Sequence, residues 1–484
     1  MVRAEPPIKI EDEASANATK TAVIVCHGMG QQVRFETLNN VADLLRRTDR
    51  VRGSVVTRLV RFGDGEMRGR VELALETGRD QKQREVHLYE IYWAPLTEGK
   101  ISLRDVVAFL ARSGFDGCRF ALGHAFTRFV FNRWVEFPTP KRLFVQFAIA
   151  LLVLGALVSL NLSIAGVVSA RLVTGGGGRF ANTALFEDLT GHLWSFALLV
   201  APFVIGLFVT TLWRERRQRR IPRPAHFVLS AWMWLAIVGT IWWGYGFPYH
   251  IVEHSFEPTP TSPDLGQTLT LAAPWIVAVG ISAVVRGFLV QYVGDVTAYL
   301  SSHRLSRFSE LRDAIQAEAL AVARAVYTEG QYGSHVIVGH SLGSVVAYDT
   351  LNALINQEGP RIVSLTTRLL TFGSPLDKTA FIFRSQKRDS DVREALAEAT
   401  QPVIADGRLR PPWVNIYSRR DPISGRLDYY DDPTGSEPKV RNTEDRDADI
   451  PIAAHTQYWG NPLLANELCE ACSGTAGCFG ASKP

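Results

Sequence analysis

The sequence predicts an α/β fold in which a mostly parallel sheet, with helices on both faces, is split by a four-helix transmembrane insert. Three observations carry that expectation. Val- and Ile-rich runs alternate with amphipathic stretches on both flanks of the chain, the pattern of strands buried under crossover helices. Four runs in the middle carry no charged side chain, and each is long enough to cross ~30 Å of hydrocarbon as a helix. Finally, Gly339-His340-Ser341-Leu342-Gly343 lies between an apolar run and a helical one, the setting of a sharp strand-to-helix turn.

Residues 1–20 mix charges with Pro and Ala and show no apolar stretch of the signal-peptide kind, so a flexible N-terminal segment is expected. Thr21–Cys26 reads as a buried strand running into the turn Cys26-His27-Gly28-Met29-Gly30. Phe35–Arg47 has helical spacing; Ser54–Phe62 and Val86–Trp93 read as strands, the second ended by Pro95. Asp105–Trp134 mixes Phe and Val with arginines and reads as one helix, either on the membrane surface or covering the sheet. With these, residues 21–135 form the first part of the sheet domain.

The insert, residues 136–293, contains the uncharged runs Leu143–Ala170, Leu193–Trp213, Phe227–Tyr249 and Leu265–Val285, the helix of the last expected to continue past Arg286 to about 290. Between the second and third, Arg214, Arg216, Arg217, Arg219, Arg220 and Arg223 face a single acid, Glu215, which marks that link as cytoplasmic. An even number of spans then returns the chain to the side where it began. The spans hold almost no ionisable group, which argues against a channel or proton-coupled transporter.

Residues 294–465 complete the domain: a long amphipathic helix at Asp295–Tyr327, strands at His335–Val338, Arg368–Phe372 and Trp413–Tyr417, and helices at Ser344–Asn356 and Lys378–Ala399. The polar stretch Asp428–Asp449 reads as a mobile loop, and residues 466–484 as a flexible tail. The 484 residues are 46% hydrophobic and 21% charged, which excludes a disordered chain. A net charge of +4 is too small for a nucleic-acid binder, and five cysteines form no disulfide framework.

Gly339 and Gly343 flank Ser341 as a nucleophile on a strained turn requires, and the following helix points its positive end at the serine. A serine near neutral pH needs a base, and the base an orienting acid. In this order of elements both should follow the serine. Asp421, in Ser418-Arg419-Arg420-Asp421-Pro422, and Asp377, in Gly373-Ser374-Pro375-Leu376-Asp377, each follow a strand; Asp421 is the better acid, with Asp377 the alternative as a helix cap. Downstream of Asp421 the sole histidine is His455.

These residues resemble the α/β-hydrolase superfamily, specifically its lipase-like serine esterases. The order Ser341, Asp421, His455 matches the family's order, and Phe372-Gly373-Ser374-Pro375 resembles the strand end that follows the elbow in many lipases. The resemblance implies oxyanion donors at the backbone N–H of Leu342 and, from the turn His27-Gly28-Met29, at the N–H of Met29. It covers about residues 21–62 and 294–460; the four-span insert departs from the family's usual small lid.

The expected protein is thus a membrane-anchored serine hydrolase of carboxylic esters, needing no metal or cofactor, with a lipid or other acyl ester as substrate and no nucleic-acid partner. No protein partner is indicated. A thioesterase or amidase on soluble substrates, and a non-catalytic membrane scaffold, are the alternatives. The excess of Arg over Lys points to a bacterial inner membrane, with the sheet domain on the cytoplasmic side. Cys469, Cys472 and Cys478 lack a fourth ligand for zinc, and Gly175–Gly178 lacks the flanks of a phosphate loop.

Overall fold

The computed structural model describes residues 20–29, 32–48, 50–77, 82–123, 126–173, 183–217, 221–254, 306–386, 400–405 and 410–474 except 434 and 436, with isolated positions at 276–299 and 395–399. Eight strands form one mixed, mostly parallel sheet: β1 (Lys20–Cys26), β2 (Val51–Arg61), β3 (Met67–Thr77), β4 (Lys82–Ile91), β7 (Ser334–His340), β8 (Thr366–Phe372), β9 (Trp413–Tyr417) and β10 (Arg441–Glu444). Their order across the sheet is β10-β9-β8-β7-β1-β4-β3-β2. From β10 to β4 every pair is parallel, and β4-β3-β2 is an antiparallel meander.

The middle strands β1 and β7 carry the apolar runs Ala22–Cys26 and Val336–Val338 because helices cover both faces. Every residue of Ser334–His340 and Trp413–Tyr417 is buried. One face carries the helices Ser306–Thr328 and Leu342–Glu358, whose Ile315, Ala319, Val345 and Leu351 join a large apolar cluster with Ile24 and Ile337. The other carries Glu36–Arg46 and Pro462–Ser473, whose Leu38, Val41, Leu464 and Leu468 pack with Val23, Val25, Val336 and Val338.

Several expectations are corrected. Asp105–Trp134 is not one helix: Leu103–Gly123 is helical, then β5 (Phe126–Val130) and β6 (Arg133–Phe137) form a hairpin. Its two-residue turn, Phe131-Asn132, has both residues at positive φ, the twist a tight hairpin demands. The described residues of the stretch 428–449 are not a plain loop: they include a short helical turn with buried Tyr429 and Tyr430, and β10. Residues 466–473, expected in a tail, belong to a buried helix that brings Cys469 and Cys472 into the core.

Among the described residues three helices are long and apolar enough to cross a membrane: Lys141–Val173, Thr183–Arg217 and Arg223–His254. The fourth expected span, Leu265–Val285, lies almost wholly outside the described residues, as do the start of the expected helix at Asp295 and most of the end of the one expected to reach Ala399. The three helices have 33, 35 and 32 residues. At 1.5 Å per residue each runs to about 50 Å, well beyond ~30 Å of hydrocarbon. The surplus lets the ends nearest the sheet pack against it. Arg142 Nη2 donates to the Arg419 carbonyl at 3.1 Å, Gln146 Nε2 to that of Pro422 at 3.3 Å, and Arg420 Nη1 to Ser230 Oγ at 3.4 Å.

Candidate active site

β7 ends at His340 and the next helix begins at Leu342, so Ser341 alone makes the turn. Its φ of 54° and ψ of −130° lie where L-residues rarely go. The turn is tightened by Ser341 N–H donating to the Phe372 carbonyl at 3.0 Å and Ser344 N–H to the Ser341 carbonyl at 3.0 Å. Both flanking glycines are sterically required. A Cβ at Gly339 would overlap the Ser344 backbone, and one at Gly343 the carbonyls of Cys26 and His27. The elbow helix therefore starts pressed against the end of β1, one strand away.

Asp421 lies in the loop after β9, and His455 in the short helix Ala454–Gln457 after β10. The fold brings both to the serine. Ser341 Oγ donates to His455 Nε2 at 2.9 Å, and His455 Nδ1 donates to Asp421 Oδ2 at 2.9 Å. A carboxylate only accepts, so the proton belongs on Nδ1 and leaves Nε2 free to accept from the serine. All three are closed off from bulk water: Ser341 is 1%, Asp421 0% and His455 7% exposed.

Burial by itself would raise the Asp421 carboxyl. The charge and hydrogen bond of His455, the Ile423 N–H and the Lys378 ammonium outweigh it, and the group titrates below the usual carboxylate range. Ile423 N–H donates to Oδ1 at 2.8 Å, and the Tyr458 hydroxyl to Oδ2 at 2.9 Å. Lys378 Nζ ties this loop from below through the carbonyls of Ile423 and Ser424. Burial pushes the Lys378 ammonium down to about 8.

Asp377 does not reach the histidine. Its carboxylate accepts from the N–H groups of Asp428 and Tyr429 at 3.2 and 3.0 Å, holding the turn Asp428–Tyr430. Burial drives its pKa up to about 8.

The two histidines of the turns are structural supports. His340 Nε2 donates to the backbone carbonyl of His455 at 3.0 Å, and its ring stacks on that of His455 at 5.0 Å and on Phe372 at 4.9 Å. Burial holds its pKa down to about 3. His27 Nδ1 donates to the Gly28 carbonyl at 2.7 Å, while Nε2 accepts from Trp93 N–H at 3.0 Å and Ala94 N–H at 3.3 Å. Its pKa is lowered by burial to about 4. This clasp pins the Gly28-Met29 turn to the end of β4. A Cβ at Gly28 would sit 3.0 Å from Ser341 Cβ, so the turn lies directly against the serine. Met29 is buried beside it, and Leu342 opens the elbow helix.

Three contributors were not singled out in the sequence. Tyr458, three residues after His455, accepts from Ser418 N–H at 2.9 Å while donating to Asp421, so one hydroxyl locks the acid to the end of β9. His340 and Lys378 act through the partners above. Only proximity to the motifs could have drawn attention to them. A cavity of about 330 Å³ lies along the far part of the elbow helix, lined by Arg312, Tyr348, Asp349, Asn352 and Arg384; Ser341 does not line it.

No protein-family model matches the sequence, and no curated protein matches it significantly. The chemistry therefore rests on this chain's own residues.

Proposed function

We propose that the chain is a membrane-anchored serine hydrolase of the α/β-hydrolase type that cleaves carboxylic esters, those of lipids above all. The observation that carries this reading is the relay Ser341 to His455 to Asp421, with two bonds of 2.9 Å, mounted on a strained turn. In the proposed reaction, Ser341 Oγ attacks the ester carbonyl carbon while its proton passes to His455 Nε2. The N–H groups of Leu342, at a helix start where backbone donors lack intrahelical acceptors, and of Met29, in the turn after β1, are assigned to the oxyanion. The tetrahedral adduct collapses, the C–O bond to the alcohol breaks, and the alcohol leaves with the proton from His455. Water, deprotonated by His455, then hydrolyses the acyl-serine ester and restores the serine.

Lipid esters are favoured because the loop bearing Asp421 is contacted by Arg142, Gln146 and Ser230, near the ends of two apolar helices. A substrate held in the adjoining leaflet would be concentrated at the site. The same contacts support a topology with the sheet domain on the side of the arginine-rich link, for which the charge bias argues the cytoplasm.

The test is hydrolysis by the purified full-length protein of p-nitrophenyl esters of increasing acyl length, with and without anionic liposomes. Ser341→Ala should abolish turnover while expression and insertion persist. kcat/KM should rise with chain length, since each CH₂ buried contributes about 0.8 kcal/mol to binding. Full turnover by the Ala variant would remove the nucleophile assignment; a flat chain-length profile in both conditions would remove the lipid assignment.

A further inference from the structure

The loop between β10 and His455 is held by the two membrane helices that flank the arginine-rich link. Asp449 is the point of attachment. Its Oδ2 accepts from His226 Nε2 at 3.0 Å and from Ile221 N–H at 3.3 Å, and its Oδ1 lies 3.6 Å from Arg214 Nε. The Arg214 guanidinium also donates to Asn461 Oδ1 at 2.6 Å and to the Asp447 carbonyl. An apolar contact reinforces the joint: Ile450 and Ala453 pack with Phe203, Leu207, Ile221, Ala225 and Leu229 of the helices. The pair is largely removed from water, with side-chain exposures of 14% for Arg214 and 8% for Asp449, so its charges are poorly screened and removal of one leaves the other stranded.

From Asp449 the path to the base is short. Gln457 Oε1 accepts from the N–H groups of Asp449 and Ile450 at 2.9 and 3.1 Å, and Ala454 N–H donates to the Ile450 carbonyl at 2.7 Å. Gln457 and Ala454 belong to the same one-turn helix as His455. Between them, Ile452 is held at a φ of 68°, a conformation an isoleucine keeps only when its surroundings impose it.

We infer that Arg214, assisted by His226, is a positioning residue for His455, and that the membrane helices are in this way a working part of the active site and not simply its anchor. The inference rests on the hydrolase reading above. Arg214 touches neither Ser341 nor His455; it acts through Asp449 and Gln457. Displacing an imidazole by a fraction of an ångström from its serine is enough to slow proton transfer, and misplacements near 1 Å from distant changes cost on the order of 100-fold. A positioning role thus predicts a loss in kcat with KM for a short, water-soluble ester unchanged.

The experiment compares the full-length protein with its Arg214→Gln, Arg214→Lys, Asp449→Asn and Arg214→Gln/Asp449→Asn forms in lipid nanodiscs. The concentration of folded enzyme is fixed by size-exclusion chromatography and near-ultraviolet circular dichroism. The readouts are kcat and KM for p-nitrophenyl acetate and the rate of covalent labelling by a fluorophosphonate. The expected result is a fall of about 10- to 100-fold in kcat and labelling rate for Arg214→Gln, unchanged KM, partial recovery in Arg214→Lys, and a double variant no worse than the single ones. His226→Gln, which removes one arm of the joint, should give a smaller loss of the same kind and serves where Arg214→Gln does not fold. Equal kcat per folded molecule in the variants, with stability alone reduced, would overturn the positioning role. If the unmodified protein itself takes up no label, it is the serine-hydrolase reading that falls.

Discussion

Ser341 stands near the middle of the sheet, between β7 and its helix, and its place is set mainly by backbone: a positive φ, two glycines that admit no Cβ, and its N–H bond to the end of β8, with Ser344 Oγ donating to its carbonyl. Asp421 and His455 sit beyond the end strands β9 and β10, on loops fixed by side chains: Tyr458, His340, Lys378, Gln457 and the ends of three membrane helices. The difference teaches where adjustment is possible. An elbow made by steric exclusion has one solution and fails by losing the fold. On the proposed mechanism, a base and an acid held by replaceable hydrogen bonds can be detuned one bond at a time, and those bonds are the route by which the apolar helices are inferred to act on the chemistry.

The sharpest break in that comparison is His455→Ala. On the proposed mechanism it should lower kcat about 10⁴-fold or more, and it should also lower thermal stability, since the buried Asp421 carboxylate loses its partner. Asp421→Asn should cost about 10³–10⁴ in kcat by releasing the imidazole tautomer. Asp377→Asn should leave kcat close to that of the unmodified enzyme; the reverse ranking in parallel kinetics would move the acid role to Asp377. On the backbone side, Gly343→Ala should lower stability by at least about 3 kcal/mol, because the new methyl meets two carbonyls that cannot retreat without opening β1, and little folded protein should elute from detergent. Tyr458→Phe should fall between the two classes. It removes the hydrogen bond to the charged Asp421, worth about 1.5 kcal/mol or more, together with the acceptor of Ser418 N–H, and should lower kcat roughly tenfold with the fold retained.

The last effect is a matter of pH. The Asp377 carboxyl, raised to about 8 by burial, disfavours charge in the folded state. Its contribution to stability is full below the unfolded value near 4 and is lost as pH rises through about 8. Unfolding midpoints of the unmodified protein should therefore decline over that window more steeply than those of Asp377→Asn, whose single amide oxygen replaces only one of the two carboxylate acceptors. Asp421 has the opposite sign, its stabilisation disappearing as pH falls below about 4.

The parts of this molecule that sequence reveals are those whose residues obey a local rule. β1, β7, β8 and β9 are visible as apolar runs because both faces are covered. Ser341, Asp421 and His455 follow from one glycine-bounded serine and the order of the residues after it. β3 escapes a sequence reading because Arg68, Arg70 and Glu72 alternate through it, paired with Asp64 of the turn, with each other and with Arg58 of β2, and β10 because an edge strand of sequence Arg-Asn-Thr-Glu has no apolar signal and exists only by pairing with β9. Tyr458 and the Arg214–Asp449 joint were invisible for the same reason: each is a meeting of segments far apart in the chain, and no spacing announces it.

The central claim is that Ser341 is a nucleophile made reactive by His455 and Asp421. The measurement that tests it most directly is mass-spectrometric mapping of the adduct formed when the full-length membrane protein is treated with a fluorophosphonate. The account predicts a single covalent phosphonyl group on the Ser341 peptide, formed much more slowly in Asp421→Asn and absent in Ser341→Ala and His455→Ala. A folded protein that takes up no label, or one labelled elsewhere with Ser341 unmodified, would contradict it.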